Sequence, residues 1–209
     1  MKYYYLFFIG ALAMNSYSQE FSFATGVNFT TYKYKNSFGE RNRNIDSERG
    51  NFYEFIFLHA INKNKKLKFQ MGGTLNEYNA SGRNGNNSYS WESTYLGLKG
   101  GFIYNIFPTE YYLNIAISLA LNLNGIIDGT QRLNGIDYDL REQPEFNDLF
   151  IQTETGLSIY YNVNRGFKIG LGYQYSLNNK VTKNSSEVLG FSNNQIQFKL
   201  QFSPYEYHR

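Results

Sequence analysis

Hydrophobic and polar residues alternate with a period of two along most of this chain. Alternation of this kind is typical of β-strands whose two faces meet different surroundings, and no helical periodicity of any length appears after Gln19. In the clearest example, Leu119 and Leu121 belong to an apolar row and Asn122 to a polar row, whereas the segment 52–61 is apolar on both faces. The pattern predicts eight strands, at residues 21–34, 52–61, 67–78, 89–106, 111–124, 149–161, 167–177 and 195–202.

The connections between these strands alternate in length. Short connections lie at residues 62–66, 107–110 and 162–166, and longer ones at residues 35–50, 79–88, 125–148 and 178–194. Short turns at one end and long loops at the other are typical of bacterial outer-membrane barrels, in which an even strand number also brings both chain termini to the short-turn end. We therefore predict an all-β fold, an eight-stranded antiparallel up-and-down transmembrane β-barrel.

The charges and small residues within the strands favour the same interpretation. A Lys or Arg facing the middle of a bilayer costs about 2–4 kcal/mol, so a lipid-facing row should lack charge. Gly, Ala and Ser are frequent in the polar row, and they suit the narrow interior of an eight-stranded barrel. A soluble periplasmic barrel that binds an apolar ligand is the alternative. The mid-strand charges all lie opposite the apolar row, at Lys68, Lys99, Glu154, Lys168 and Lys199.

Aromatic residues are predicted to form two girdles, one at each membrane interface. The girdle at the short-turn end would contain Tyr104, Phe107, Tyr111, Tyr161, Phe167 and Phe202. The girdle at the loop end would contain Phe29, Tyr78, Tyr89, Trp91, Tyr173 and Tyr175. Asn-Gly pairs at residues 84–85, 124–125 and 134–135 predict turns.

Composition restricts the class of protein further. The 209 residues are 19% aromatic, which is too rich for a disordered chain, and they include no Cys. The mean hydropathy is −0.50, which argues against several helical spans of roughly 20 apolar residues each. A formal net charge of +3 is too small to suggest nucleic acid as a partner.

Residues 1–18 have the organisation of a secretory signal peptide. Lys2 supplies the charged region, residues 6–14 are apolar, and Ser16-Tyr17-Ser18 forms the small-x-small motif that precedes the cleavage site. We expect cleavage before Gln19, which leaves residues 19–209 as a single outer-membrane barrel domain.

The strands also resemble those of a known family. The matching stretches are residues 95–104, 111–116, 155–161, 165–175 and 196–202. In these stretches, which include the glycine-rich Tyr-Leu-Gly-Leu-Lys-Gly-Gly segment beginning at Tyr95, the chain resembles the small outer-membrane β-barrel domain family of the Bacteroidetes, often labelled PorT-like. The resemblance implies a location in the cell outer membrane and no particular chemistry.

The polar row contains one candidate functional site, a network inside the barrel lumen. It could form a charged gate that passes small ions, or a polar plug whose charges neutralise one another. We favour the plug, because eight strands enclose only enough room for side chains and buried charges need partners. The predicted members are Glu154, Lys99, Lys168, Lys199, Gln152, Gln174 and Gln197.

Catalytic and metal-binding signals are weak elsewhere. His59 and His208 are the only histidines, and no nucleophile-elbow, zinc-protease, Walker A or dinucleotide-binding motif accompanies them. Acidic residues in the loop 125–148 could attract Ca²⁺, but their spacing is not that of a calcium loop, so a solvated loop is favoured. We predict no enzyme activity, cofactor or bound metal.

The expected function is structural or interactive. Long extracellular loops would contact other molecules, and the surroundings would be outer-membrane lipid and lipopolysaccharide, whose phosphates could meet the arginines of the loop 35–50. The alternative is an accessory subunit of a secretion or transport machine that would use the tail 203–209. We expect a monomer, and the sequence identifies no protein partner.

We predict that the exported protein begins at Gln19, because signal peptidase cleaves after a small residue that follows an apolar segment. Mass spectrometry of the N-terminal peptide from isolated outer membranes measures this directly. A membrane-bound chain that retains residues 1–18 would contradict the prediction.

Overall fold

The computed structural model describes residues 19–35, 38, 41–42, 45–84, 87–108, 111–179 and 188–204. The predicted signal peptide lies outside these residues. No helix among them is long and apolar enough to cross a membrane.

Eight long strands form the wall of the molecule. They are β1 (Gln19–Lys35), β4 (Arg49–Ala60), β5 (Leu67–Asn84), β6 (Asn87–Asn105), β7 (Leu113–Leu133), β9 (Phe150–Asn164), β10 (Phe167–Asn179) and β11 (Val188–Phe202). Three short strands join the ends of this wall, β2 (Arg41–Asn42), β3 (Ile45–Ser47) and β8 (Ile136–Asp139). A 3-10 turn at Leu140–Glu142 and the one-turn helix α1 (Pro144–Asn147) follow β8.

The wall closes on itself. Each long strand pairs antiparallel with its neighbour along the chain, and β1 completes the circle by pairing with β11 from Phe21 opposite Phe202 to Lys35 opposite Val188. Closure leaves no long strand with an unpaired edge, which is a condition for strands to cross lipid. The predicted eight-stranded antiparallel barrel is confirmed.

The apolar rows point outward. Leu98, Leu119, Leu171 and Ile196 expose half or more of their side-chain surface on the outer wall. Their neighbours in sequence turn into the lumen, where Lys99 is buried. A soluble barrel would have the reverse arrangement, so the outward apolar face argues against the soluble alternative. The inward, buried polar residues include Lys68, Lys99, Glu154, Lys168 and Lys199.

The two ends of the barrel differ, as the connection lengths predict. Residues 61–66, 106–112 and 165–166 form short connections at the end where β1 begins and β11 finishes. Three of the four connections at the other end are longer, but the β5–β6 connection spans only residues 85–86, because β5 and β6 stay paired as far as Asn84 and Asn87. The predicted bounds of several connections are therefore wrong. Residues 79–84 and 87–88 continue β5 and β6, residues 125–133 continue β7, and the loop 35–50 contains β2 and β3.

The strands extend because backbone pairing does not stop where the lipid stops. Alternation of apolar and polar residues is required only in the lipid, so the sequence pattern ends before the hydrogen-bonded ladder does. The Asn124–Gly125 pair, predicted as a turn, lies within β7 opposite Gly97 and Leu96. Asn134 and Gly135 do form the β7–β8 turn, with positive φ angles of 51° and 84° that suit a two-residue hairpin. Gly85 lies outside the described residues.

The aromatic girdles are only partly as predicted. At the short-turn end, Tyr104, Phe107, Tyr111, Tyr161 and Phe202 are exposed and Phe167 is half-buried. At the loop end, Phe29, Tyr173 and Tyr175 are exposed, but Tyr78 and Trp91 are buried in the lumen and Tyr89 packs on Trp91. These three assignments were wrong because successive side chains of a strand point alternately outward and inward. This alternation, which we call strand parity, and not position along the barrel axis, decides whether a side chain faces lipid.

We predict that substitution by arginine lowers the stability of the barrel at one of two similarly exposed apolar residues and hardly changes it at the other. Leu119 lies mid-strand on the outer wall at 55% exposure, and Ile136 lies on β8 beyond the barrel at 58%. Leu119→Arg should destabilise the barrel by about 2–4 kcal/mol and Ile136→Arg by about 0–1 kcal/mol, because only the first enters lipid. Urea unfolding of protein folded into lipid vesicles, followed by the heat-dependent gel shift, measures both. Equal effects would contradict a membrane-spanning wall.

Candidate functional site in the barrel lumen

An ion-paired layer crosses the middle of the lumen. Lys99 projects inward from β6, and its Nζ lies 3.0 Å from Oε1 of Glu54 on β4 and 2.7 Å from Oε2 of Glu154 on β9. The same nitrogen donates to Oε1 of Gln174 on β10 at 2.9 Å. All four side chains are buried. One ammonium group therefore joins three different parts of the wall, and its two carboxylate partners are held away from water.

Side-chain amides extend this layer toward the loop end. Gln174 donates to Oε1 of Gln195 at 3.0 Å, and Gln195 donates to Oδ1 of Asn76 at 3.1 Å. Asn122 donates to Oε1 of Glu154 at 3.1 Å and so links the amides to the ion pairs. Amides suit a narrow lumen because each offers both donors and an acceptor.

The lumen is narrow enough that glycine is required on its wall. A Cβ at Gly97 would overlap the side chains of Thr74, Asn122 and Asn124. The small residues of the polar row therefore make room for the long amides and charges that face them across the barrel.

The seven predicted site residues are all buried, but they do not form one cluster. Lys99, Glu154 and Gln174 are in direct contact within the ion-paired layer. The remaining four lie in the lumen outside that layer. Gln197 donates to Gln195 at 3.0 Å. Gln152 accepts from Tyr78 at 2.8 Å and from Asn124 at 3.2 Å. Lys168 and Lys199 are buried and form no ion pair with a described residue.

Two acidic members of the site were missed by sequence reasoning. Glu54 lies in the segment that is apolar on both faces, so its charge was not assigned to either row. Glu20 lies immediately after the predicted cleavage site, and its carboxylate is 2.6 Å from Nζ of Lys68 and also accepts from Gln201. The high cost of a lipid-facing charge would have placed Glu54 inside the barrel.

Apolar side chains fill the lumen near the short-turn end. Ile56, Leu58, Ile103 and Tyr160 pack together there and are buried. These residues explain why the strand 52–61 is apolar on both faces: one face meets lipid, and the other packs within the lumen.

An aromatic cluster fills the lumen toward the loop end. Tyr78 and Tyr95 pack at 5.5 Å between ring centroids, and Phe191 lies 4.9 Å from Tyr78 and 5.1 Å from Phe150. Tyr78 is also hydrogen-bonded to Gln152, which joins the cluster to the amides below it. The upper lumen is therefore an apolar core rather than a water-filled vestibule.

The segment between β8 and β9 covers this aromatic cluster at the extracellular end of the lumen. Leu140 in the 3-10 turn is fully buried, and the ring of Phe146 in α1 lies 5.8 Å from that of Trp91. Asp139 caps the 3-10 turn by accepting from the backbone N–H of Arg141 at 2.8 Å. The loop 125–148 is thus a folded cover, not a freely solvated loop as predicted.

Two carboxylates of the loop 125–148 form ion pairs with arginines. Nε of Arg132 lies 2.7 Å from Oδ1 of Asp137, and this hydrogen bond holds the pKa of Asp137 below its usual value. Arg141 pairs with Asp139 at 2.5 Å. Within the described part of the chain, no group of three His, Cys, Asp or Glu side chains could hold a metal ion. His59 is half-buried on β4, opposite Phe69 and Gln19.

These features define a class of protein. A closed antiparallel barrel that presents apolar residues and aromatic rims outward and a packed polar lumen inward is a transmembrane β-barrel of the bacterial cell outer membrane.

Comparison with solved structures gives the same fold. Neisserial surface protein A is similar, with a TM-score of 0.51 and 16% identity over 88% of this chain and 96% of that one. The outer membrane protein OprG of Pseudomonas aeruginosa has a TM-score of 0.49 and 11% identity, covering 88% of this chain and 96% of that one. The likeness to Neisserial surface protein A, at an identity this low, shows a shared fold alone. No protein-family model matches the chain, and no curated protein matches it significantly in sequence.

We predict that Lys99 is the residue on which the stability of the ion-paired layer depends. Lys99→Met should destabilise the barrel by about 3–5 kcal/mol, because it leaves the buried carboxylates of Glu54 and Glu154 without the cation that pairs with them. Urea unfolding in vesicles measures the loss.

Two further variants test the physical cause. Adding Glu54→Gln and Glu154→Gln to Lys99→Met should recover most of the lost stability, because the uncompensated charges are then gone. Arg141→Met, which breaks an exposed pair, should cost less than about 1 kcal/mol. A triple variant as unstable as Lys99→Met would show that volume and not charge is responsible.

Proposed function

We propose that this protein is a non-enzymatic outer-membrane barrel whose lumen serves as a structural core and whose extracellular extensions interact with other molecules. The observation that carries this proposal is the filling of the lumen along its length. Near the short-turn end, an apolar group lies beside the Glu20–Lys68 ion pair. An ion-paired layer, an amide layer and an aromatic cluster then follow one another toward the loop end.

The packing favours a plug over an ion gate. The cavity beside Lys199, which Glu54 and Lys99 also line, has a volume of about 10 Å³, enough for about one water molecule. Above it, the hydroxyls of Tyr32 and Tyr78 in the aromatic cluster are already hydrogen-bonded to protein atoms, and the surrounding rings cannot replace the hydration shell of an ion. Moving an ion through the lumen would require both the ion-paired layer and the cover over the aromatic cluster to rearrange.

The strands that continue beyond the lipid-facing rows support a surface role. β5, β6 and β7 rise past the loop-end aromatics, and β3 and β8 pair with them. This ordered rim is a described surface outside the membrane. Its expected surroundings are outer-membrane lipid and lipopolysaccharide, and a closed barrel without a free strand edge needs no partner copy to be complete, which favours a monomer.

The finer assignments are part of the same proposal. Membership of the PorT-like barrel family of the Bacteroidetes rests on the strand motifs described above, and absence of catalysis rests on the lack of a positioned nucleophile and base in the sequence. An accessory role in a secretion machine would use the tail 203–209. Loss of a co-purifying protein on deletion of that tail would favour the accessory role.

We predict that the purified protein gives no discrete conductance steps in a planar bilayer. The expected result follows from the filled lumen, and single-channel recording measures it, with protein-free vesicles as the baseline. Conductance steps that vanish in Glu154→Ala but persist in Glu142→Ala would contradict the plug. The second variant makes the same chemical change on the exposed extracellular segment.

A further inference from the structure

A row of polar residues crosses five neighbouring strands of the extracellular rim. Asp46 on β3 pairs with Ser81 on β5, Ser81 with Ser90 on β6, and Ser90 with Arg132 on β7. Arg132 in turn pairs with Asp137 on β8. Directly paired residues of adjacent strands place their side chains on one face. With strands about 4.8 Å apart, the row is roughly 19 Å long.

Four residues of this row, all except Asp137, line the floor of a groove. The groove has a volume of about 550 Å³, within the range of about 300–1,000 Å³ typical of ligand sites. Its side-chain lining includes Asp46, Ser81 and Arg132, together with Arg83 and Ser88, which pair with each other one step nearer the strand tips. The floor is therefore formed by paired strands rather than by a loop.

Two arginines in the groove differ in their freedom to bind a ligand. Arg132 is held in place by Asp137 through two hydrogen bonds of 2.7 and 3.2 Å. Arg83 is exposed and has no ion-pair partner among the residues that the structure describes. The Ser81 and Ser90 hydroxyls likewise form no hydrogen bond within the described chain. The groove thus combines an uncommitted guanidinium, hydroxyl groups and the carboxylate of Asp46.

We infer that this groove binds an anionic saccharide. Arg83 would hold a phosphate or sulfate group of the ligand, for which a guanidinium supplies paired donors. The serine hydroxyls and Asp46 would exchange hydrogen bonds with sugar hydroxyls. An elongated floor lined by polar groups suits a ligand of several linked sugar units better than a compact ion. The inference deepens the proposed surface role and rests on it.

The position of the groove favours the saccharide of lipopolysaccharide, which belongs to the membrane itself, as the ligand. Ser81 has the same strand parity as Met71, and Ser90 the same parity as Leu96, and both of those apolar residues are exposed on the lipid-facing wall. A bulge at Ile127 shifts the parity of β7, so that Arg132 joins the same outer face. The groove therefore lies on the outside of the barrel, directly above the lipid band, where the phosphorylated sugars of lipopolysaccharide lie.

Binding measurements on the full mature chain in detergent test this inference. The probes are phosphorylated core oligosaccharide released from lipopolysaccharide, the same oligosaccharide after phosphatase treatment, and dextran sulfate as an unrelated soluble anionic saccharide. Calorimetry should show binding of the phosphorylated core that Arg83→Gln weakens about tenfold, the effect expected for loss of a charge-assisted contact. Arg165→Gln removes the same charge from the exposed short-turn end and should change the affinity less than about twofold.

The remaining outcomes distinguish the ligand sources and the two proposals. Weaker binding of dextran sulfate than of the core supports lipopolysaccharide, and equal binding supports a soluble anionic saccharide at the same site. Unchanged affinity in Arg83→Gln, or equal affinity for the phosphatase-treated core, overturns the inference. The heat-dependent gel shift confirms that each variant is folded, and a non-conducting barrel that binds none of the probes leaves the structural role standing while the groove inference fails.

Discussion

Backbone hydrogen bonding inside lipid is the constraint on which this structure depends. A strand that crosses a bilayer has no water to satisfy its N–H and C=O groups, so every long strand must pair on both sides. The pairing of β1 with β11 meets this requirement and turns a sheet into a barrel. Closure then decides the rest, because it creates one wall facing lipid and one narrow interior facing itself.

The narrow interior explains why the lumen is so fully bonded. Side chains from opposite walls of eight strands meet in the middle, so an inward polar residue must find its partner there. Lys99 reaches Glu54 and Glu154 on other strands, and the amides complete the layer beside them. Because the lumen is narrow, one short segment that contains Leu140 and Phe146 is enough to cover the aromatic cluster.

Much of the fold could be predicted from sequence, and part of the lumen site could be. Strand number, face assignment and the sorting of connections follow from a period of two, since lipid demands apolar residues on one face only. Glu54 was missed because its strand is apolar on both faces. Tyr78 and Trp91 were wrongly assigned to the lipid-facing girdle, because a residue at the height of the membrane interface faces lipid only if the alternation along its strand points it outward. The bounds of the long loops were wrong because paired strands continue into water, where no apolar pattern marks them.

The sequence by itself determined that this chain is a barrel and which face of the mid-strand apolar rows meets lipid, because the membrane imposes its requirement residue by residue along each strand. Only the tertiary structure decided which inward residues meet across the lumen, that an extracellular segment covers it, and that Ser81, Ser90 and Arg132 share one groove. Those contacts join residues far apart in the chain, and they depend on how closure and strand register align the walls. Local alternation carries no information about that alignment.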